Sequence, residues 1–153
     1  MASDANILDT ATSLGVLDGL MGYHLRRASG VFYTDFSHFV GDMGIRQVLF
    51  GILAIVEANP GINQGNVGRA LGIKRANMVS RVNELIDAGL ITRMASVDDR
   101  RAFELTLTSE GRAFFDKCLA RIRQHEERLL CDLSPAERAT LCDLLIRIAI
   151  KES

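Results

Sequence analysis

Lys74, Arg75, Asn77, Ser80 and Asn83 fall within ten consecutive residues and together offer two cations, two amides and a hydroxyl. On a helix advancing about 100° per residue, Met78, Val82, Leu85 and Gly89 lie within about 40° of one direction, the core side. Ala76, Ser80 and Asn83 take the opposite side, with Asn77 beside them and Arg81 on the flank. Small and amide side chains on such a face can enter a major groove and hydrogen-bond base edges, and asparagine can pair with adenine through two bonds. Cations at the helix start suit phosphates beside its N-terminus. The same pattern also fits a surface helix whose polar face simply meets water.

A second concentration of charge is "VDDRR", residues 97–101, where Asp98 and Asp99 meet Arg100 and Arg101. It joins two alternating runs, "LITRMAS" and "AFELTLT", the second with Phe103, Leu105 and Leu107 on one face, which predicts the tip of a β-hairpin. Upstream, "INQGNVGRALG" predicts a short helix with Val67 and Leu71 inward, stopped at Gly72 by a left-handed cap. Its Gly65 and Gly68 mark close helix approach. Two short helices across a tight glycine-containing turn, followed by a hairpin, give the order of a winged helix-turn-helix. From Arg69 to Arg101 seven basic residues face four acidic ones, so this segment is +3 within a chain of net charge −1. That asymmetry suits a polyanionic partner for one region of an otherwise acidic body.

The rest of the chain must position this unit. Residues 11–35 carry Leu14, Leu17, Met21, Leu25, Ala28 and Phe32 at helical spacing and predict one long amphipathic helix. Gly41 and Gly44 bracket a turn, and "IRQVLFGILAIVEANPG" predicts a helix apolar on nearly every side, hence buried, stopped at Asn59-Pro60-Gly61. Thr108 is placed to cap a long helix running through "SEGRAFFDKCLARIRQHEERLLCDL". Ser134-Pro135-Ala136-Glu137 combines a capping serine, a first-turn proline and a glutamate at the third helical position. At 153 residues the chain suits one domain with a proper core. No apolar run approaches the roughly 20 residues that span a bilayer, and the first basic residue is Arg26, so a soluble cytoplasmic protein with no membrane partner is expected.

Enzyme chemistry finds no support. "HEERL" begins like a zinc-protease helix, but Leu129 stands where the second histidine belongs. "GRALGIK" resembles a phosphate loop, yet Lys74 follows Ile73 and precedes Arg75 rather than lying between glycine and a hydroxyl residue. His24, His38 and His125 read as surface or polar-core residues. Cys118, Cys131 and Cys142 are odd in number and lack C-x-x-C spacing, so neither disulfide framework nor metal knuckle is indicated, and no catalytic residue, metal or cofactor is expected.

"DAGLITR" (87–93) and "DDRRAFELTLTSEG" (98–111) resemble the MarR family of winged-helix transcriptional regulators. Asp99 and Arg101 occupy its D-x-R wing, and Leu107, Thr108 and Gly111 its L-T-x-x-G helix entry. The agreement extends over "GIRQVLFGILAIVEANPGINQGNVGRALGI" and the flanking helices; Gly68 departs from the family's usual alanine. The resemblance implies a mainly α fold with a small β-hairpin. In it a winged helix-turn-helix lobe, residues 44–110, is joined to dimerisation helices, 8–38 and 112–153, in a single domain spanning 1–153. It implies a homodimer on double-stranded DNA, at a pseudo-palindromic operator whose half-sites are centred one helical turn apart. Lys74, Arg75, Asn77, Ser80, Asn83, Arg100 and Arg101 would contact that DNA. Arg101 would enter the minor groove, supported by Asp99, whereas the motif fixes no role for Asp98 or Arg100.

The resemblance further implies a repressor released by a small aromatic or anionic effector bound between lobe and dimerisation helices. An aromatic acid or its coenzyme A thioester is preferred, with Tyr23, His24, Arg27, Phe32, Tyr33, Phe36, Phe39, Arg46 and Phe50 as the candidate lining. These aromatics also fit ordinary core packing. Two other readings stand beside this one: a thiol redox switch, disfavoured because no cysteine lies in the first helix, and a protein-interaction module that no longer binds DNA.

Overall fold

The computed structural model describes residues 12–96 and 103–150. The chain divides between Thr34 and Asp35 into two compact units. The first holds a 3₁₀ turn, Gly15–Gly19, and the start of helix α1, Met21–Val40. Helix therefore begins later than the apolar spacing predicts and runs further. Gly15 takes a left-handed φ of 55° and Leu20 is extended, so the backbone turns before α1 begins. Inside this unit the His24 ring donates from Nε2 to the Asp18 carbonyl at 2.8 Å and meets Tyr23 edge-on.

The second unit contains the core. Gly44, at φ 71°, turns the chain into α2, Gln47–Ala58. Leu49, Ile52, Leu53 and Val56 of α2 are buried, with Val48, Phe50, Ala54 and Ile55 partly so, as expected for a helix apolar nearly all round. The strand β1, Ile62–Asn63, leads into α3, Gln64–Ala70, and α4, Arg75–Asp87. Gly72 turns between the two helices at φ 65°. Met78, Val82 and Leu85 of α4 are buried, as the angular reading predicts, but Gly89 is not part of that face. It lies beyond the helix at φ 71°, exposed, making the left-handed exit.

Strands β2, Ile91–Ala95, and β3, Phe103–Leu107, form the expected hairpin arms, pairing antiparallel from Ile91↔Leu107 to Ala95↔Phe103. The sheet has a third strand that the sequence did not predict, because β1 pairs with β3 through Ile62↔Leu105 and Asn63↔Glu104. Two residues carry no readable alternation. Leu105 is fully buried, whereas Phe103, expected beside it on the core face, is half exposed at the wing end.

The long helix α5, Ser109–Leu129, is anchored at its start. The Thr108 hydroxyl accepts from the Gly111 N–H at 2.8 Å and donates to the Gly89 carbonyl at 2.7 Å, while the Thr108 N–H donates to the Leu90 carbonyl at 3.1 Å. This joins the exit of α4 to the entry of α5. His125 of α5 is buried, with Nδ1 3.3 Å from an Asp35 carboxylate oxygen and its ring against Phe39, so it is a polar-core histidine. The last helix, α6, Pro135–Ala149, opens with the expected capping box: Glu137 N–H donates to Ser134 Oγ at 3.3 Å, and Ser134 N–H donates back to the Glu137 carboxylate at 2.8 Å. That Ser134 hydroxyl, with its backbone N–H, holds the Glu137 carboxyl below the usual carboxylate range. No residue of α6 is buried. Among the described residues no single helix is long and apolar enough to cross a membrane.

Candidate nucleic-acid interface

The interface is built on the α3–turn–α4 unit. Asn63 caps α3 by accepting from Asn66 N–H at 2.9 Å. Gly68 permits the two helices to touch: a Cβ there would lie 3.0 Å from Met78 Cγ and 3.1 Å from the Ile73 carbonyl oxygen. Alanine at 68 would therefore press on Met78 and on the Ile73 carbonyl. Gly65, by contrast, faces only its own cap residue.

This packing buries one side of α4 and leaves Asn77, Ser80 and Asn83 exposed. Ser80 Oγ donates to the Asn77 carbonyl at 3.1 Å, so its hydroxyl is held along the helix. Lys74 is the N-cap residue of α4 and Arg75 its first residue, both exposed and, among the described residues, in no ion pair. Four arginines of the last two helices are paired instead: Arg112 with Glu57 at 2.7 Å, Arg121 with Asp42 at 2.6 Å, Arg138 with Glu127 at 2.7 Å, and Arg128 with Asp35. Two such cations thus sit together at the start of the exposed polar helix, in no such pair. A cleft of about 460 Å³ opens beside them, lined by Asn63, Gln64, Gly65, Gly68, Arg69, Ile73, Arg75, Met78 and Phe103.

Asp98, Asp99, Arg100 and Arg101 lie outside the described residues. The described strands on either side end at Ala95 and Phe103, which pair with each other.

Two contacts were not legible in the sequence. Arg93 Nη2 donates to Gln64 Oε1 at 3.2 Å and to Asn83 Oδ1 at 3.3 Å, with the guanidinium 5.5 Å from the Phe103 ring centroid. The available signal was a cation on the inner face of β2, between Ile91 and Ala95. Arg46, just before α2, donates to Glu84 on α4 at 2.5 Å.

The candidate effector residues are dispersed. In the first unit Tyr23 and Phe32 are half-buried, while His24, Arg27 and Tyr33 are exposed. In the second, Phe36 is buried in the core, Phe39 lies against His125 and under the Arg128 guanidinium, and Phe50 stacks on Phe115 at 5.3 Å. None of these lines the 460 Å³ cleft. Cys118 is buried, and that burial pushes its thiol above the ordinary range, opposite to what a peroxide-reactive cysteine requires. Cys131 and Cys142 are exposed.

The MarR family profile matches residues 47–102, from the start of α2 to the wing. A protein assigned as the transcriptional regulatory protein for the hcr operon of Thauera aromatica is 34% identical over 144 residues, covering 91% of this chain and 84% of its own. The chain belongs to the MarR family. It is a DNA-binding winged helix-turn-helix transcriptional regulator, not an enzyme. Among solved structures, the transcriptional repressor CouR bound to a 23-mer DNA duplex superposes with a TM-score of 0.86 at 36% identity, covering 90% of this chain and 98% of that one. CouR bound to p-coumaroyl-CoA gives a TM-score of 0.78 at 34% identity, over 90% of this chain and 96% of that one.

Proposed function

We propose that this MarR-family protein is a cytoplasmic homodimeric repressor that reads a pseudo-palindromic operator and is released by an aromatic acid or aromatic acyl-coenzyme A. The observation that carries the DNA side is the exposed face Asn77–Ser80–Asn83 of α4, with Lys74 and Arg75 at its start in no ion pair among the described residues. The lobe 44–110 supplies base readout from α4, and Arg101 with Asp99 supplies the wing contact. Support for the effector class comes from the likeness to CouR, which has been solved with p-coumaroyl-CoA and with DNA.

Release has a physical route through Arg46. Its bond to Glu84 ties the start of α2 to α4. Both side chains are about half exposed, and such a pair contributes about 1 kcal/mol or less. A carboxylate or phosphate of the effector competes readily for that guanidinium, leaving Glu84 as an unpaired anion on the DNA-facing helix. Arg27 is the second candidate anion receptor. Calorimetric titration with p-coumaroyl-CoA, its free acid and related aromatic acids should give heat and loss of DNA binding for at least one, weakened by Arg46→Ala or Arg27→Ala. No heat from any of them rejects the effector class.

Readout and anchoring separate by substitution. Arg101→Ala is expected to weaken binding broadly across sequences, whereas Asn77→Ala changes which sites are preferred, by about 1–3 kcal/mol at the affected base pair. Site selection from random duplexes checks both, and the reverse pattern would move readout to the wing.

A further inference from the structure

The inner face of β2 reads Ile91, Arg93, Ala95, opposite Leu107, Leu105 and Phe103 of β3. Ile91 and Leu105 are buried, so Arg93 is a cation on the apolar side of the hairpin. It leans over Phe103, its diagonal cross-strand neighbour, and reaches both helices of the helix-turn-helix: Gln64, the first residue of α3, and Asn83, on the exposed face of α4. One side chain thus connects the wing strand to both helices at their DNA-facing edge.

A guanidinium has five donors and no acceptor. The amide atoms that face it must be oxygens, which turns the NH₂ groups of Gln64 and Asn83 away from Arg93. We propose that Arg93 is a specificity-positioning residue that makes the Asn83 amide, with Gln64 beside it, a donor-only probe of the operator. This rests on α4 being the recognition helix. An asparagine free at both ends pairs with adenine, accepting from N6 and donating to N7. With Oδ1 turned to Arg93, the edge of the Asn83 amide left for the operator is its NH₂, a donor. Guanine, which shows two acceptors, N7 and O6, is then its best partner. Adenine offers one acceptor beside a donor, and cytosine offers a donor alone. Sequence reasoning assigns adenine to a recognition-helix asparagine; the Arg93 contact reassigns it to guanine.

The test is site selection from random duplexes with the full chain, comparing wild type, Arg93→Gln, Arg93→Lys and Asn83→Ala, alongside affinity for a non-operator duplex. Wild type is expected to select guanine at one position per half-site, and Asn83→Ala to flatten that position. Arg93→Gln, which can turn its own oxygen to the amides and so frees them to flip, should lose about tenfold of the guanine-over-adenine preference. Arg93→Lys should retain it, because an ammonium is also donor-only. A purely structural role would instead lower affinity for all sequences equally in both Arg93 variants and leave base preference unchanged, which overturns the proposal. Selection of adenine by wild type at the position that Asn83→Ala flattens overturns it as well, while leaving α4 as the recognition helix. If Asn83→Ala alters no position, the readout assigned to Asn83 fails and the proposal falls with it.

Discussion

Gly111→Ala is expected to cost about 3 kcal/mol or more, because overpacking against backbone and loss of a helix cap act together. An added Cβ would lie 1.9 Å from the Leu90 carbonyl oxygen and 2.8 Å from its carbon, an overlap that no side-chain rotation relieves. The Leu90 carbonyl cannot retreat without breaking its bond from the Thr108 N–H, and α5 cannot retreat without breaking the Thr108 cap on Gly111. Substitution therefore strikes the joint between the exit of α4 and the long helix. At about 2–4 °C per kcal/mol for a chain of this size, the melting temperature should fall by about 6–12 °C. Gly89 is a different case: it has open space around it but φ 71°, so its alanine variant meets backbone strain of about 1–2 kcal/mol rather than a clash. Thermal unfolding of the two variants checks this; equal melting of Gly111→Ala and wild type would mean the joint is looser than drawn.

The second large effect concerns α6. Leu141, Leu144, Leu145 and Ile148 line one side of it and Ile146 and Ile150 the other, all at least 40% exposed. A single 15-residue helix is marginal in water without packing, and an apolar surface this continuous marks an interaction site. We expect a second copy of the chain to cover it, as the family resemblance implies. Leu144→Asp combined with Ile148→Asp should therefore give a monomer in sedimentation and lower operator affinity by about a hundredfold or more, since two half-sites no longer act together. A variant that stays dimeric would place the interface elsewhere. Ser134→Asp serves as a control, because aspartate also caps helices.

These two effects differ in how far the sequence reveals them. The L-T-x-x-G pattern is visible at Leu107, Thr108 and Gly111, and the structure supplies its reason: one hydroxyl closes two backbone ends and one glycine lets them touch. The capping box at Ser134, the turn glycines 44 and 72, and the buried face of α4 were equally legible, because local geometry and period decide them. What stayed hidden depends on contacts distant in sequence. Ile62–Asn63 became a strand only through β3. Arg93 found Gln64 twenty-nine positions away, and Arg46 found Glu84 across thirty-eight. The start of α1 was misplaced because helical spacing of leucines at 14 and 17 continues through Gly15 and Gly19, where the backbone does not. The candidate effector aromatics show the ambiguity of composition, since Phe36 and Phe50 pack in the core as aromatics at helical spacing ordinarily do.

Whether this chain is a sequence-specific DNA-binding dimer is decided by selecting binding sites from random duplexes and titrating the enriched sequence against salt. The enriched sequence should be a pseudo-palindrome with half-sites about 10 base pairs apart. Its affinity should exceed that for a scrambled duplex by about a thousandfold or more. Log affinity should fall linearly with log salt with a slope of about −5 to −7, as Lys74, Arg75, Arg100 and Arg101 of two protomers displace counterions. Failure to enrich any sequence, or an affinity indifferent to salt, would contradict it.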